Sequence, residues 1–171
     1  MKIDTKQITL VSLFIALCLL VPIIFHVVGL GKMFLPMFLP ILLAGFIIEF
    51  PIVILVGLLG PLVSALATGM PPLFPTAVSM SIEGLATVSV ASYLYFNRKM
   101  GFWISLIAAI IAQRISRILM LLLILPLFGL PVKTLSIADF IYSFPGIILQ
   151  ILLVPILLKM LWKIKIIEPQ S

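Results

Sequence analysis

The stretch Pro36 to Glu83, PMFLPILLAGFIIEFPIVILVGLLGPLVSALATGMPPLFPTAVSMSIE, decides how the chain folds. It is apolar almost throughout, yet Glu49-Phe50-Pro51 interrupts it near the middle. A single helix from Leu39 to Leu66 would be about 42 Å long, against a bilayer hydrocarbon core of about 30 Å. Glu49 would then lie near the bilayer centre, and Pro51 would remove an amide from the helical ladder. Two short helices turning at Glu49-Phe50 avoid both penalties. They are expected at about 40–48 and 52–67, with small residues (Ala44, Gly45, Gly57, Gly60, Ser64, Ala65) giving close-packing faces. After them, TGMPPLFPT (Thr68 to Thr76) is too rich in proline for regular helix, so it predicts a stiff, apolar loop. That loop suits either a pocket lid or an element resting on the lipid interface.

The remainder of the chain is of the same character. Of 171 residues, 64% are hydrophobic and 9% charged, and the mean hydropathy is +1.42, which excludes an ordinary water-soluble domain. The net charge of +6 is scattered among apolar runs and forms no patch, so nucleic acid is not an expected partner and the lipid bilayer is. Ile8 to Val28 is too long for a signal-peptide core and lacks a small-residue cleavage site, so it reads as a first span. Further helices are expected at about 78–96, 102–125 and 139–162, giving one all-α membrane domain over 1–171 with six transmembrane helices. Pro145 and Pro155 are expected to bend or interrupt the last of them. Ser79 or Ser81 is the expected N-cap of the fourth helix, and Tyr93 and Tyr95 are expected in an interfacial aromatic belt.

Basic residues orient the bundle. With six spans and an internal N-terminus, seven basic residues (Lys2, Lys6, Arg98, Lys99, Lys159, Lys163, Lys165) lie inside, against Lys32 and Lys133 outside. If 40–67 were one span, only Lys2, Lys6 and Lys133 would remain inside. The positive-inside bias therefore favours six spans with both termini cytoplasmic.

Chemistry is concentrated at a few polar residues inside apolar helices. Arg114 and Arg117 lie about 18 and 22 Å along the fifth helix from its inner end. Arginine at such depth needs a partner or a wet cavity. Glu83, early in the fourth helix, is expected at comparable depth. Either Glu83 and Arg114 form a structural ion pair, or at least one arginine meets a ligand. Gln113 is expected to point elsewhere, as a hydrogen-bonding contact between helices. His26 is a loop or interface residue or a ligand contact, and Met33, Met37 and Met70 flank the expected pocket. Cys18 is read as a small buried apolar residue. One histidine and one cysteine give no metal-ligand set, no Walker sequence is present, and no serine has a general base at readable spacing. No metal, cofactor or catalytic residue is expected.

FLPMFLPILLAG (Phe34 to Gly45) and GLLGPLVSALATGMPPLFPTAVSMSIEGLAT (Gly57 to Thr87) together resemble the substrate-binding S components of energy-coupling factor (ECF) transporters, bacterial and archaeal importers of vitamins and related micronutrients. The resemblance spans Ile8 to Lys163. It implies a six-helix bundle in a prokaryotic cell membrane and an outward-facing pocket between helices 4 to 6. Met70 to Phe74 would be the lid, and Glu83, Arg114 and Arg117 would lie in the pocket. It further implies a water-soluble vitamin-like ligand, a transmembrane scaffold (T) subunit docked through small residues such as Ser12 and Ala16, and two cytoplasmic ATPases. The chain departs from the family pattern on helix 1, where Ser12 and Ala16 give a small-xxx-small pair in place of the all-alanine pattern of several members, and at Glu49-Phe50-Pro51, where a glycine-proline turn is usual. It also has Ala112-Gln113-Arg114 where a glycine often precedes arginine, and no aromatic near Thr87. A stand-alone carrier driven by an ion gradient, or a membrane scaffold protein without a ligand, is the alternative reading.

Overall fold

Helix α3 (Ile54–Thr68) contains Pro61, which has no amide to offer the carbonyl of Gly57 four residues earlier. That carbonyl faces Gly84 of the neighbouring helix. A Cβ on Gly84 would lie 2.5 Å from Gly57 O, and one on Gly57 would lie 2.6 Å from the Gly84 carbonyl group. The two backbones therefore touch where neither has a side chain, a geometry that favours weak Cα–H···O contacts. Glu83 is placed by this contact, being next to Gly84 in the chain.

The computed structural model describes residues 5–27, 29, 36–124, 126 and 143–163, with backbone alone at 26, 27, 123 and 124. Its secondary structure is entirely helical among these residues. In chain order the α-helices among the described residues are α1 (Thr5–Val27), α2 (Phe38–Ala44), α3, α4 (Val78–Ser92), α5 (Phe102–Leu119) and α6 (Phe144–Lys163), six in number as the sequence predicts. Wide π-type turns extend α4 over Tyr93–Asn97 and α5 over Met120–Ile124, and another over Leu73–Ala77 leads into α4 across a kink at Phe74, whose backbone is extended (φ −127°, ψ 136°). Among the described residues four helical stretches are long and apolar enough to cross a membrane: Thr5–Phe25, Leu73–Asn97, Phe102–Leu122 and Phe144–Lys163.

The shortest helix is the most deeply enclosed. α2 has only 7 residues, and Phe38, Pro40, Ile41, Leu42, Leu43 and Ala44 are all buried. It packs among α1, α4 and α6, while α3 lies between α1 and α4, and α5 lies on α4. A helix about 10 Å long can sit in a membrane bundle only where protein surrounds its ends. Outward faces of the long helices are apolar and exposed, at Ile104, Ile107, Ile111, Ile115 and Ile118 on α5 and at Ile148, Leu152, Ile156 and Met160 on α6. Spacings of three and four place each set on one helix face, as expected for contact with lipid.

The break read from Glu49-Phe50-Pro51 is present but wider than the predicted tight turn. α2 was expected over Pro40 to Ile48, but it begins at Phe38 and ends at Ala44. Pro40 is tolerated because it falls in the first turn, where amides have no intrahelical partner. From Gly45 to Val53 the chain runs as successive turns, with Phe46 N donating to Leu43 O (3.1 Å) and Ile54 N to Pro51 O (3.1 Å). Ser92 Oγ of α4 donates to the Ile48 carbonyl (2.9 Å), satisfying a backbone group that the break leaves over. Glu49 is exposed at the tip of the break.

Three further expectations change. Neither Ser79 nor Ser81 caps α4: Ser79 Oγ donates back to the carbonyls of Pro75 (3.0 Å) or Thr76 (2.9 Å), and Ser81 Oγ donates to Ala77 O (2.9 Å). The helical path has already begun in the wide turn before them, where Ala77 N donates to Pro72 O (3.0 Å). Tyr95 is buried, edge-on to Phe46 (5.3 Å) and Phe96 (5.1 Å), whereas Tyr93 is exposed beside Phe50 and the Arg98 guanidinium. In α6, Pro145 occupies the first turn and Pro155 lies within one helix from Phe144 to Lys163, so of the expected bend or interruption the interruption is absent among the described residues. The expected first turn of α6 from Asp139, the loop residues Lys32, Met33 and Lys133, and the terminal Lys2 and Lys165 lie outside the described residues.

Replacing Gly57 by alanine should destabilise the fold by about 1–3 kcal/mol, since backbone must move to admit the methyl. Gly60→Ala should cost less, because its nearest obstacle is the Cys18 side chain, 3.0 Å away. Thermal melts of the two variants in detergent test the ordering.

Candidate functional site

Charged side chains from two helices are buried near that glycine contact. Glu83 (α4) is 1% exposed, Arg114 (α5) 9% and Arg117 (α5) 6%. Arg117 Nη1 lies 3.7 Å from Glu83 Oε2, a buried ion pair between α4 and α5. Arg114 Nη1 donates to Ser143 Oγ (2.8 Å), reaching the start of α6. The acid's partner at ion-pair distance is thus Arg117, where the sequence suggested Arg114. Residues 114 and 117 are about 60° apart around the helix and share roughly one face, from which Arg117 meets Glu83 of α4 and Arg114 reaches Ser143 before α6.

The cluster is not saturated. Glu83 Oε1 and Arg117 Nε, both buried, have no hydrogen-bond partner among the described residues. Gln113 is 1% exposed, and neither polar atom of its amide group has a hydrogen-bond partner among the described residues, so within them it makes no hydrogen bond of the interhelical kind expected of it. Gln150 of α6, also 1% exposed, is in the same condition. Unpaired polar groups buried in a bundle are unfavourable by about 1–3 kcal/mol each, so such a set calls for an occupant with polar groups of its own.

The loop after α3 is held at its base and open beyond it. Gly69 ends α3 with φ 71°, the left-handed conformation that glycine adopts without strain. Ser64 Oγ donates to the Met70 carbonyl (3.0 Å), and Thr68 Oγ1 accepts from Met70 N (3.2 Å). Past this anchor Met70, Leu73 and Phe74 are 59%, 47% and 57% exposed. Met37 is buried in the apolar core, apart from these exposed residues. The side chain of His26 lies outside the described residues, and its backbone is in the last turns of α1. Ser12 and Ala16 lie on the exposed face of α1, opposite the buried Val11, Phe14 and Cys18.

The family profile described as ECF transporter, substrate-specific component, matches residues 6–158. The chain belongs to that family. No individual characterised protein and no solved structure gives a match. As an ECF substrate-specific component the chain is a multi-pass membrane protein with a role in transport and substrate binding. Ser143 and Gln150 were not singled out from the sequence. The signal for Gln150 was present, as a lone carboxamide within the apolar run Ile147 to Val154. Ser143 carried none.

Arg117→Met leaves Glu83 without its nearest cation and should destabilise the protein by about 3–5 kcal/mol. Combining it with Glu83→Gln should recover much of that loss. The double-mutant cycle, read by thermal unfolding in detergent, checks the coupling.

Proposed function

We propose that this ECF component captures a small, water-soluble, vitamin-like nutrient outside a prokaryotic cell and hands it to an ATP-driven module. The observation that carries the reading is the convergence of Glu83, Arg114 and Arg117 from α4 and α5, with Arg114 bridging to Ser143 at the head of α6. In a membrane protein such a buried, incompletely paired set is a ligand site more readily than a source of stability. The arginines meet a carboxylate, phosphate or polarised carbonyl of the nutrient, and Glu83 orients Arg117 or accepts a hydrogen bond.

Met70 to Phe74 form the lid. Their exposed apolar side chains and the anchored base at Ser64 and Thr68 suit a segment that closes over a ligand with little ordering. Met37 and His26 remain candidate contacts of the same pocket. The exposed small-residue face of α1 at Ser12 and Ala16 is the docking surface for a transmembrane scaffold subunit, which in turn binds two cytoplasmic ATPases. The chain itself catalyses no reaction, and the whole of it acts as one membrane domain.

Native mass spectrometry of gently purified protein should reveal a retained small molecule. Arg114→Gln should weaken binding of that molecule at least ~10-fold, or ~1.4 kcal/mol. Unchanged affinity in a folded variant overturns the assignment of Arg114. The proposed orientation has both termini in the cytoplasm. Cysteines introduced by Asn97→Cys and Ser171→Cys in a Cys18→Ser background should therefore both resist a membrane-impermeant thiol reagent added to intact cells, and both react after permeabilisation.

A further inference from the structure

The turn between α4 and α5 presents two cations, Arg98 and Lys99, at the far end of these helices from the Glu83–Arg117 pair. It joins two membrane-length stretches, Leu73–Asn97 and Phe102–Leu122, so both cations lie at headgroup level on one side of the bilayer. Both are exposed, and neither has a carboxylate at ion-pair distance among the described residues. Glu49, next to Phe50 in the chain, is exposed and pairs with neither, and the first turn of α5 holds no acidic residue. The turn is nevertheless fixed. Arg98 N donates to Tyr93 O (3.0 Å), Met100 N donates to Leu94 O (2.9 Å), and the Arg98 guanidinium lies over the Tyr93 ring, 5.6 Å from its centre. Between these hydrogen bonds Lys99 has φ 50°, the left-handed region in which glycine is favoured and a lysine is strained. An exposed apolar stripe starts at the same place. Trp103, Ile107 and Ile111 are exposed and spaced by four, so they follow one side of α5 from the turn into the bilayer.

We propose that the α4–α5 turn is a binding site for one anionic phospholipid, with the phosphate against Arg98 and Lys99 and an acyl chain along Trp103, Ile107 and Ile111. Charge complementarity selects the anion, since two cations at headgroup depth with no acid paired to them attract a phosphate in charge-assisted hydrogen bonds. The apolar stripe selects a lipid. A free phosphate or an acidic peptide would occupy the turn and leave the stripe unused, whereas a phospholipid carries head and chain in one molecule, and tryptophan at the boundary suits that junction. A zwitterionic lipid brings its own ammonium to the two cations and gains less from them. Retention of lysine at a backbone position that favours glycine is accounted for by the use of its ammonium. Placing the site in the cytoplasmic leaflet rests on the orientation proposed above, while the site itself stands in either orientation.

The test uses the full chain in detergent, stripped of lipid and titrated with phosphatidylglycerol or phosphatidylcholine, with bound lipid counted by native mass spectrometry. Wild type should bind a first phosphatidylglycerol at least ~10-fold more tightly than phosphatidylcholine, and Arg98→Gln with Lys99→Gln should abolish that preference. Lys159→Gln with Lys163→Gln removes the same charge from exposed positions at the end of α6 and should leave the preference unchanged. Lys99→Gly should weaken phosphatidylglycerol binding yet melt no lower than wild type without lipid, because the strained φ is relieved. Equal losses from the two double variants would show general attraction to a basic interface and overturn the inference, as would the absence of a preference in wild type. Displacement of the lipid by inorganic phosphate, beyond that by chloride at matched ionic strength, assigns the turn to a free anion and overturns the lipid. A lowered melting temperature of lipid-free Lys99→Gly assigns the lysine to structure and also overturns it. Since no transported ligand enters the measurement, each of these failures leaves the substrate-binding reading standing.

Discussion

The arrangement depends on one backbone contact between α3 and α4. Pro61 frees the Gly57 carbonyl, Gly84 presents no side chain to it, and the helices close to a distance that a methyl on either glycine would prevent. In a bilayer the hydrophobic effect does not drive helices together, so intimate contact of this kind supplies much of the association. Because Glu83 adjoins Gly84, the same contact sets where the carboxylate enters the bundle. Arg117 meets it from α5, which packs along α4.

Burying an ion pair and two amides in such a bundle is a poor way to gain stability. The charges lose hydration, and their attraction offsets this only where geometry is good and the remaining hydrogen-bonding capacity is used. Here a 3.7 Å separation and unmet atoms on Glu83, Arg117, Gln113 and Gln150 leave capacity unused. The surroundings are close-packed and apolar, with α2 enclosed among α1, α4 and α6. A rigid frame holding an under-satisfied polar cluster is the arrangement expected of a pre-organised binding site. The loop after α3 completes the contrast, since its base is hydrogen-bonded and its apolar side chains are exposed.

Much of the fold was legible before the structure. The break at Glu49-Phe50-Pro51 followed from helix length and from the unfavourable burial of a carboxylate, and the six helices followed from apolar runs. Their ends were read less well, because Pro40 fits a first turn and the break relaxes over residues 45–53. Glu83, Arg114 and Arg117 stood out because charge inside an apolar run is rare whatever the fold. Which arginine meets Glu83 did not follow from depth, since both are close in height and only the direction of each around α5 separates them. Gln113 was noticed but misread, and Ser143 passed unremarked, since a serine near a proline and a glycine looks like any turn.

Composition and the spacing of apolar residues determined by themselves that this chain is a helical membrane protein with charges held inside it, because lipid admits few ways to bury a backbone and penalises every polar side chain. The tertiary structure alone decided who meets whom: Gly57 with Gly84, Arg117 with Glu83, Arg114 with Ser143, Tyr95 with Phe46. Those pairings depend on how each helix is rotated about its axis against its neighbours. Rotation is set by interdigitation of side chains across contacts distant in sequence, and no local pattern along the chain encodes it.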